Sequence, residues 1–144
     1  MYKSIVVGVD GSPTAEIALD RAIDLASLSG ARLHVVSAYE PAAARVTGGA
    51  PSGEQFAAPS DFKADTALQR ALNRAGAKSL EVEQHAPRGD PADGLISVAE
   101  ESGADLIVIG SVGMKGARRI FGSVPNSVAH RTPCDVLIVQ TTNR

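Results

Sequence analysis

Three glycines, Gly110, Gly113 and Gly116, follow directly on the run Leu106-Ile107-Val108-Ile109, and Gly122-Ser123-Val124 comes shortly after. Four apolar and mostly β-branched residues in a row suit a strand covered on both faces in a parallel sheet. Glycines at its exit let the backbone turn sharply and present its N–H groups. Gly122-Ser123 is placed where a helix N-terminus would aim free amides and the positive dipole end. Strand, glycine loop and helix start together have the chemistry of a phosphate cradle. Taken singly, each glycine also reads as an ordinary turn residue. Asp10 is the second candidate, at the end of the apolar run Ile5 to Val9. A carboxylate beside phosphates is repulsive unless a cation stands between them, so that role implies Mg²⁺. The alternative role for Asp10 is to cap the turn Asp10-Gly11-Ser12-Pro13. Ser123 can cap a helix and touch phosphate at once, whereas Ser12 reads as a helix cap only.

Other reactive side chains form no pattern in the sequence. His34, His85 and His130 lie far apart, show no ligand spacing, and read as structural or surface groups. Cys134 is alone, which excludes an intramolecular disulfide and a multi-cysteine zinc site. Its place before Asp135-Val136-Leu137 reads as a small buried hydrophobe at a strand start. Lys115, Arg118 and Arg119 read as solvated loop charges rather than phosphate ligands, and Glu100-Glu101 as a solvated face. A Gly-x-x-x-x-Gly-Lys-Ser/Thr loop is absent, as is any nucleophile–histidine pattern.

The elements that must hold these residues alternate strand and helix. Strands are expected at Ser4–Val9, Arg32–Tyr39, Ser79–Ala86, Ala104–Gly110 and Cys134–Val139. Helices are expected at about Pro13–Ser29, Asp61–Ala75, Pro91–Ser102 and Ser123–Arg131. Ser12 and Asp90 supply N-caps with proline at the next position, and Gly30 and Gly103 close two helices. The third strand alternates Leu80, Val82, Gln84 and Ala86 with Glu81, Glu83 and His85, which suits a sheet edge. Glu40 to Ser60, rich in Ala, Gly and Pro, reads as one long loop, either functional or a disordered insertion. Such alternation demands parallel pairing through right-handed crossovers. A ligand then lies outside the carboxyl ends of the strands where strand order reverses, which brings Asp10 and Gly110 to one crevice.

A chain of 144 residues with net charge −2 and 3% aromatic residues suits one domain with an aliphatic core. It lacks the basic surface and the stacking platform of a nucleic-acid binder. The N-terminal apolar run is too short for a signal-peptide core, and no segment is long enough to span a bilayer, so a cytoplasmic location without a membrane partner is expected.

Over nearly its whole length the chain resembles a universal stress protein. The resemblance rests on Ile5-Val6-Val7-Gly8-Val9-Asp10-Gly11-Ser12, Leu33-His34-Val35-Val36, Gly89-Asp90-Pro91, Ala104 to Gly110, Gly122-Ser123-Val124 and Pro133 to Val139. It implies a single Rossmann-like domain over residues 1–144, with an open parallel sheet ordered 3-2-1-4-5 and helices on both faces. It also implies a homodimer through the last strand, Val136–Val139. The ATP-binding members carry Gly, two residues, Gly, nine residues, then Gly-Ser or Gly-Thr. Here Gly110 and Gly113 match, but eight residues, Met114 to Phe121, separate Gly113 from Gly122. The resemblance implies an adenine nucleotide (ATP, AMP or cyclic AMP) with Mg²⁺ as cofactor. Gly8, Val9 and Val35 would line the adenine slot, and Ile109 and Gly110 would face ribose or adenine. Asp10 would approach the ribose and the nucleotide-bound metal. Gly113, Met114, Gly122, Ser123 and Val124 would serve the phosphates. The function implied is a dimeric stress-response or signalling switch with no catalytic residues assigned. The alternatives are a slow Mg²⁺-dependent ATP hydrolase and a nucleotide-free interaction protein.

Overall fold

The computed structural model describes residues 1–39, 60–111 and 118–141. It contains strands β1 (Ser4–Gly8), β2 (Arg32–Val36), β3 (Val82–His85), β4 (Leu106–Gly110) and β5 (Asp135–Val139). Helices are α1 (Pro13–Ser29), α2 (Ser60–Gly76), α3 (Pro91–Ser102) and α4 (Arg118–Arg131). The strands form one parallel sheet in the order β3-β2-β1-β4-β5, as the resemblance implies. The expected loop beginning at Glu40, and Gly113, Met114 and Gly116, lie outside the described residues.

Strand parity sorts the core into two layers, because successive side chains of a strand point to opposite faces. Ile5, Val7, Leu33, Val35, Leu106 and Val108 face α1 and α2 and meet Leu19, Ile23, Leu68 and Ala71. Val6, Val36, Ile107 and Ile109 face α3 and meet Leu95, Val98 and Ala99, with Val128 of α4. Three consecutive residues of β1, Ile5 to Val7, have no exposure at all. This is the double-sided burial that near-continuous apolar strands predict.

The local signals at the helix ends act as expected. Ser12 accepts from the Ala15 amide at 3.1 Å, and Asp90 accepts from the Asp93 amide at 3.0 Å, each ahead of a proline. Gly30 and Gly103 terminate α1 and α3 in the left-handed conformation, at φ 72° and 66°, where a Cβ would be strained. Three boundaries differ from expectation by three residues or more, and one of them is the end of β2, at Val36 rather than Tyr39. β3 begins only at Val82, because Lys78 and Ser79 bond back to Ala75 and Gly76 and extend the turn after α2. α4 begins at Arg118 rather than Ser123, since Arg118-Arg119-Ile120 carry no turn chemistry and extend the helix backward. Pro125 therefore stands inside α4, where it offers no N–H to the residue-121 carbonyl. Among the described residues, no helix is long and apolar enough to cross a membrane.

One glycine within a helix has a packing reason. A Cβ on Gly94 of α3 would lie 2.7 Å from Pro87 Cγ, part of a rigid ring. Intrinsic propensity alone would make Gly94→Ala stabilising by roughly 1 kcal/mol. The clash reverses that sign, and the expected net loss is about 1–3 kcal/mol. Urea unfolding should show a lower midpoint with an unchanged slope.

Candidate functional site

The sheet order places β1 between β2, reached by one crossover, and β4, reached from the other direction. Their carboxyl ends part at this point, and an open-mouthed cleft lies there. Its floor and walls come from Gly8, Val9 and Asp10 after β1, Val36 and Ala38 after β2, and Ile109 and Gly110 of β4. Pro91 and Leu95 of α3, Ala15 of α1, and Val124 and Pro125 of α4 complete the lining. The empty space of the cleft, with the open solvent at its mouth counted in, is about 660 Å³. Gly8 keeps the floor low: a Cβ there would stand 3.2 Å from Leu95 Cδ2.

The walls are aliphatic, and Asp10 is the one charged residue among the described lining residues. Asp10 is exposed, and its Oδ1 accepts from the Ser12 amide at 2.9 Å and from Ser12 Oγ at 2.6 Å. Ser12 in turn accepts from Ala15 N, so the carboxylate is held in place by the first turn of α1. Asp10 thus has the turn-capping role and a seat at the cleft mouth together.

Six of the residues expected at the site meet here: Gly8, Val9, Asp10, Ile109, Gly110 and Val124. Val35 needs correction. Its side chain is fully buried on the α1 side of the sheet, and Val36, one residue later, lines the cleft. The period of two along a strand makes a one-residue offset a change of face. Gly122 and Ser123 also differ from expectation, standing in the second turn of α4 rather than at its N-terminus, because that helix starts at Arg118. Gly113 and Met114 lie outside the described residues. Sequence reasoning also misses Ala15, Ala38, Pro91, Leu95 and Pro125 as lining residues. Leu95 belongs to the apolar stripe of α3, and only the tertiary fold shows that it lines the cleft as well as the core.

Cys134 is half-buried against the α3-side core, and burial pushes its thiol pKa up, as suits an inert packing residue. The histidines are a different matter. The β2–β3 register pairs His34 with Glu83 and Val36 with His85, which puts His34, Glu83 and His85 on one face. His34 Nδ1 and His85 Nε2 are 3.0 Å apart.

The universal stress protein family model matches residues 1–140. A universal stress protein of Mycobacterium tuberculosis is 41% identical over 155 aligned residues, covering 98% of each chain. The chain belongs to the universal stress protein family. A solved universal stress protein in complex with cyclic AMP is 37% identical, covers 98% of both chains and superposes with a TM-score of 0.73. A universal stress protein from Archaeoglobus fulgidus in complex with dAMP is 27% identical, covers 96% of this chain and 98% of its own, and has a TM-score of 0.70.

The Asp10–Ser12–Ala15 chain of hydrogen bonds ties the cleft mouth to α1. Ser12→Ala removes the cap and the hydroxyl bond to Asp10, leaving only the amide bond to that carboxylate, and should cost about 1 kcal/mol of stability. Chemical denaturation of the wild type and the variant measures it directly.

Proposed function

We propose that this protein binds an adenine nucleotide in the crevice between the ends of β1 and β4, and acts as a dimeric stress-response or signalling module built on one domain over residues 1–144. The observation that carries the reading is the aliphatic slot at the point of strand-order reversal, with Asp10 at its mouth. Branched aliphatic walls suit the two faces of a purine ring. Gly8 and Gly110 leave room for the ribose side of the ligand to approach the backbone. The cyclic AMP and dAMP complexes of relatives support the ligand class. Gly113, Met114, Gly122, Ser123 and Val124 are assigned to the phosphate side. On the β2 side, Val36 rather than Val35 forms the wall.

Asp10 decides how charge enters the slot. A polyphosphate such as ATP would bring Mg²⁺ with it, and one carboxylate plus phosphate oxygens is the kind of donor set that Mg²⁺ accepts. A cyclic monophosphate carries one charge and needs no metal. The dimer is assigned to the outer edge of β5, Val136–Val139. Ile138 stands 44% exposed on that strand, which supports an apolar contact there.

Calorimetric titration of nucleotide-stripped protein with cyclic AMP, and separately with ATP and Mg²⁺, tests the reading. At least one should saturate in the micromolar range, about −8 kcal/mol. Gly8→Val fills the floor against Leu95 while suiting a strand, and should weaken that binding at least about tenfold with the fold retained. Absence of saturation by either nucleotide up to roughly 1 mM, about −4 kcal/mol, would overturn the proposal. For the dimer, sedimentation should show Ile138→Lys shifted to the monomer, whereas a wild-type monomer would dismiss the edge contact.

A further inference from the structure

We propose that His34, Glu83 and His85 form a binding site for a divalent transition-metal ion of the zinc type, pinning edge strand β3 to β2. His34 Nδ1 and His85 Nε2 are 3.0 Å apart. Glu83 Oε1 lies 3.6 Å from the first and 3.8 Å from the second. The nearest point equidistant from these three atoms lies in their plane about 2.0 Å from each, and an ion raised slightly out of that plane toward a fourth ligand keeps distances of about 2.0–2.2 Å, the range of zinc bonds to imidazole nitrogen and carboxylate oxygen. Two imidazoles and one carboxylate match the donor preference of zinc and its neighbours rather than of Ca²⁺ or Mg²⁺. Three protein ligands leave a fourth position of a tetrahedron for water or an incoming group.

The surroundings orient these donors. Glu83 Oε2 accepts from Arg32 Nη1 at 3.3 Å, so the outer oxygen is engaged and the inner one is turned to the imidazoles. Such outer contacts are what hold ligating carboxylates in position. His34 is 4% exposed and set by the sheet, since it lies between β1 and β3 in register with Val6 and Glu83. His85 is held across from Val36, and its carbonyl accepts from the Ser37 amide at 3.0 Å. Three atoms that can each offer a lone pair face one small space. A cation serves all three. The site is separate from the nucleotide reading, because none of its three residues lines the crevice.

The test uses the untagged full chain, stripped with a chelator and titrated with ZnCl₂ by calorimetry, with Co²⁺ as the spectroscopic probe. One equivalent should bind, and bound Co²⁺ should give the strong visible bands of a four-coordinate ion. Thermal unfolding under saturating Zn²⁺ should rise by roughly 5 °C or more. His85→Ala and Glu83→Gln alter only partly exposed groups and should stay folded. They should weaken Zn²⁺ binding by at least about 100-fold and 10-fold respectively. His34→Ala removes a buried ring and can unfold the chain, so the decision rests on the two surface variants. Absence of saturation below roughly 100 µM Zn²⁺, or binding equally tight in both variants, would overturn the site.

Discussion

The burial of β1 between two helical layers is the constraint on which the rest depends. Ile5, Val6 and Val7 have no exposure, and their faces alternate between the α1–α2 layer and the α3–α4 layer. A strand in that position must be paired on both sides, here by β2 and β4. The chain reaches those two neighbours by crossovers that leave in opposite directions, so the segments after β1 and β4 diverge. The crevice is the geometric consequence of that divergence. Asp105 secures the opposite end of the same pair. Its Oδ1 accepts from the Lys3 and Ser4 amides at 3.2 and 3.1 Å, and its own N–H donates to the Ser4 carbonyl at 2.9 Å. The amino ends of β1 and β4 are thus tied, and the carboxyl ends are left to open.

What is legible in the sequence follows the range of the forces involved. Caps and turns are local, so Ser12, Asp90, Gly30 and Gly103 can be assigned from neighbouring residues alone, and the structure places each in its expected role. Double-sided burial is written in an unbroken apolar run, so β4 is legible too. The strand–helix alternation then points to the crevice at Asp10 and Gly110, and the family resemblance supplies the strand order. Parity is harder. Val35 and Val36 are both β-branched and both buried, and only the register with Val7 and Gly8 tells which one faces α3. The start of α4 is obscured because Gly122-Ser123 reads as a cap. In the structure the helix extends backward through Arg118 and tolerates the proline inside.

The histidine cluster is illegible for a different reason. His34 and His85 are 51 positions apart, and no local pattern links them. The alternation around β3 does mark Glu83 and His85 as sharing a face, and the buried setting of His34 needs only the β2 pairing. What joins them is a register set by hydrogen bonds such as Leu33 N–H to the Glu81 carbonyl and Ser37 N–H to the His85 carbonyl, each 3.0 Å. A slip of one residue would send Glu83 and His85 to the opposite face. The cluster is therefore a property of pairing, which sequence spacing cannot encode.

The two sheet edges are managed by opposite means, and each suits what is proposed for it. β3 and the residue before it present Glu81, Glu83 and Gln84 to solvent, and Arg32 bridges to Glu81 and Glu83 from β2 at 3.1 and 3.3 Å. Exposed pairs of this kind contribute little to stability, but a charged rim discourages another strand from pairing there. A strand of four residues with few apolar contacts is also the weakest part of the sheet to hold by packing alone. A ligand that bridges it to buried His34 would act where packing gives least. β5 lacks such a charged rim along Val136 to Val139 and leaves Ile138 open. An apolar edge strand is a template for pairing with another strand, and the homodimer proposed above would cover Ile138 with a second copy of β5.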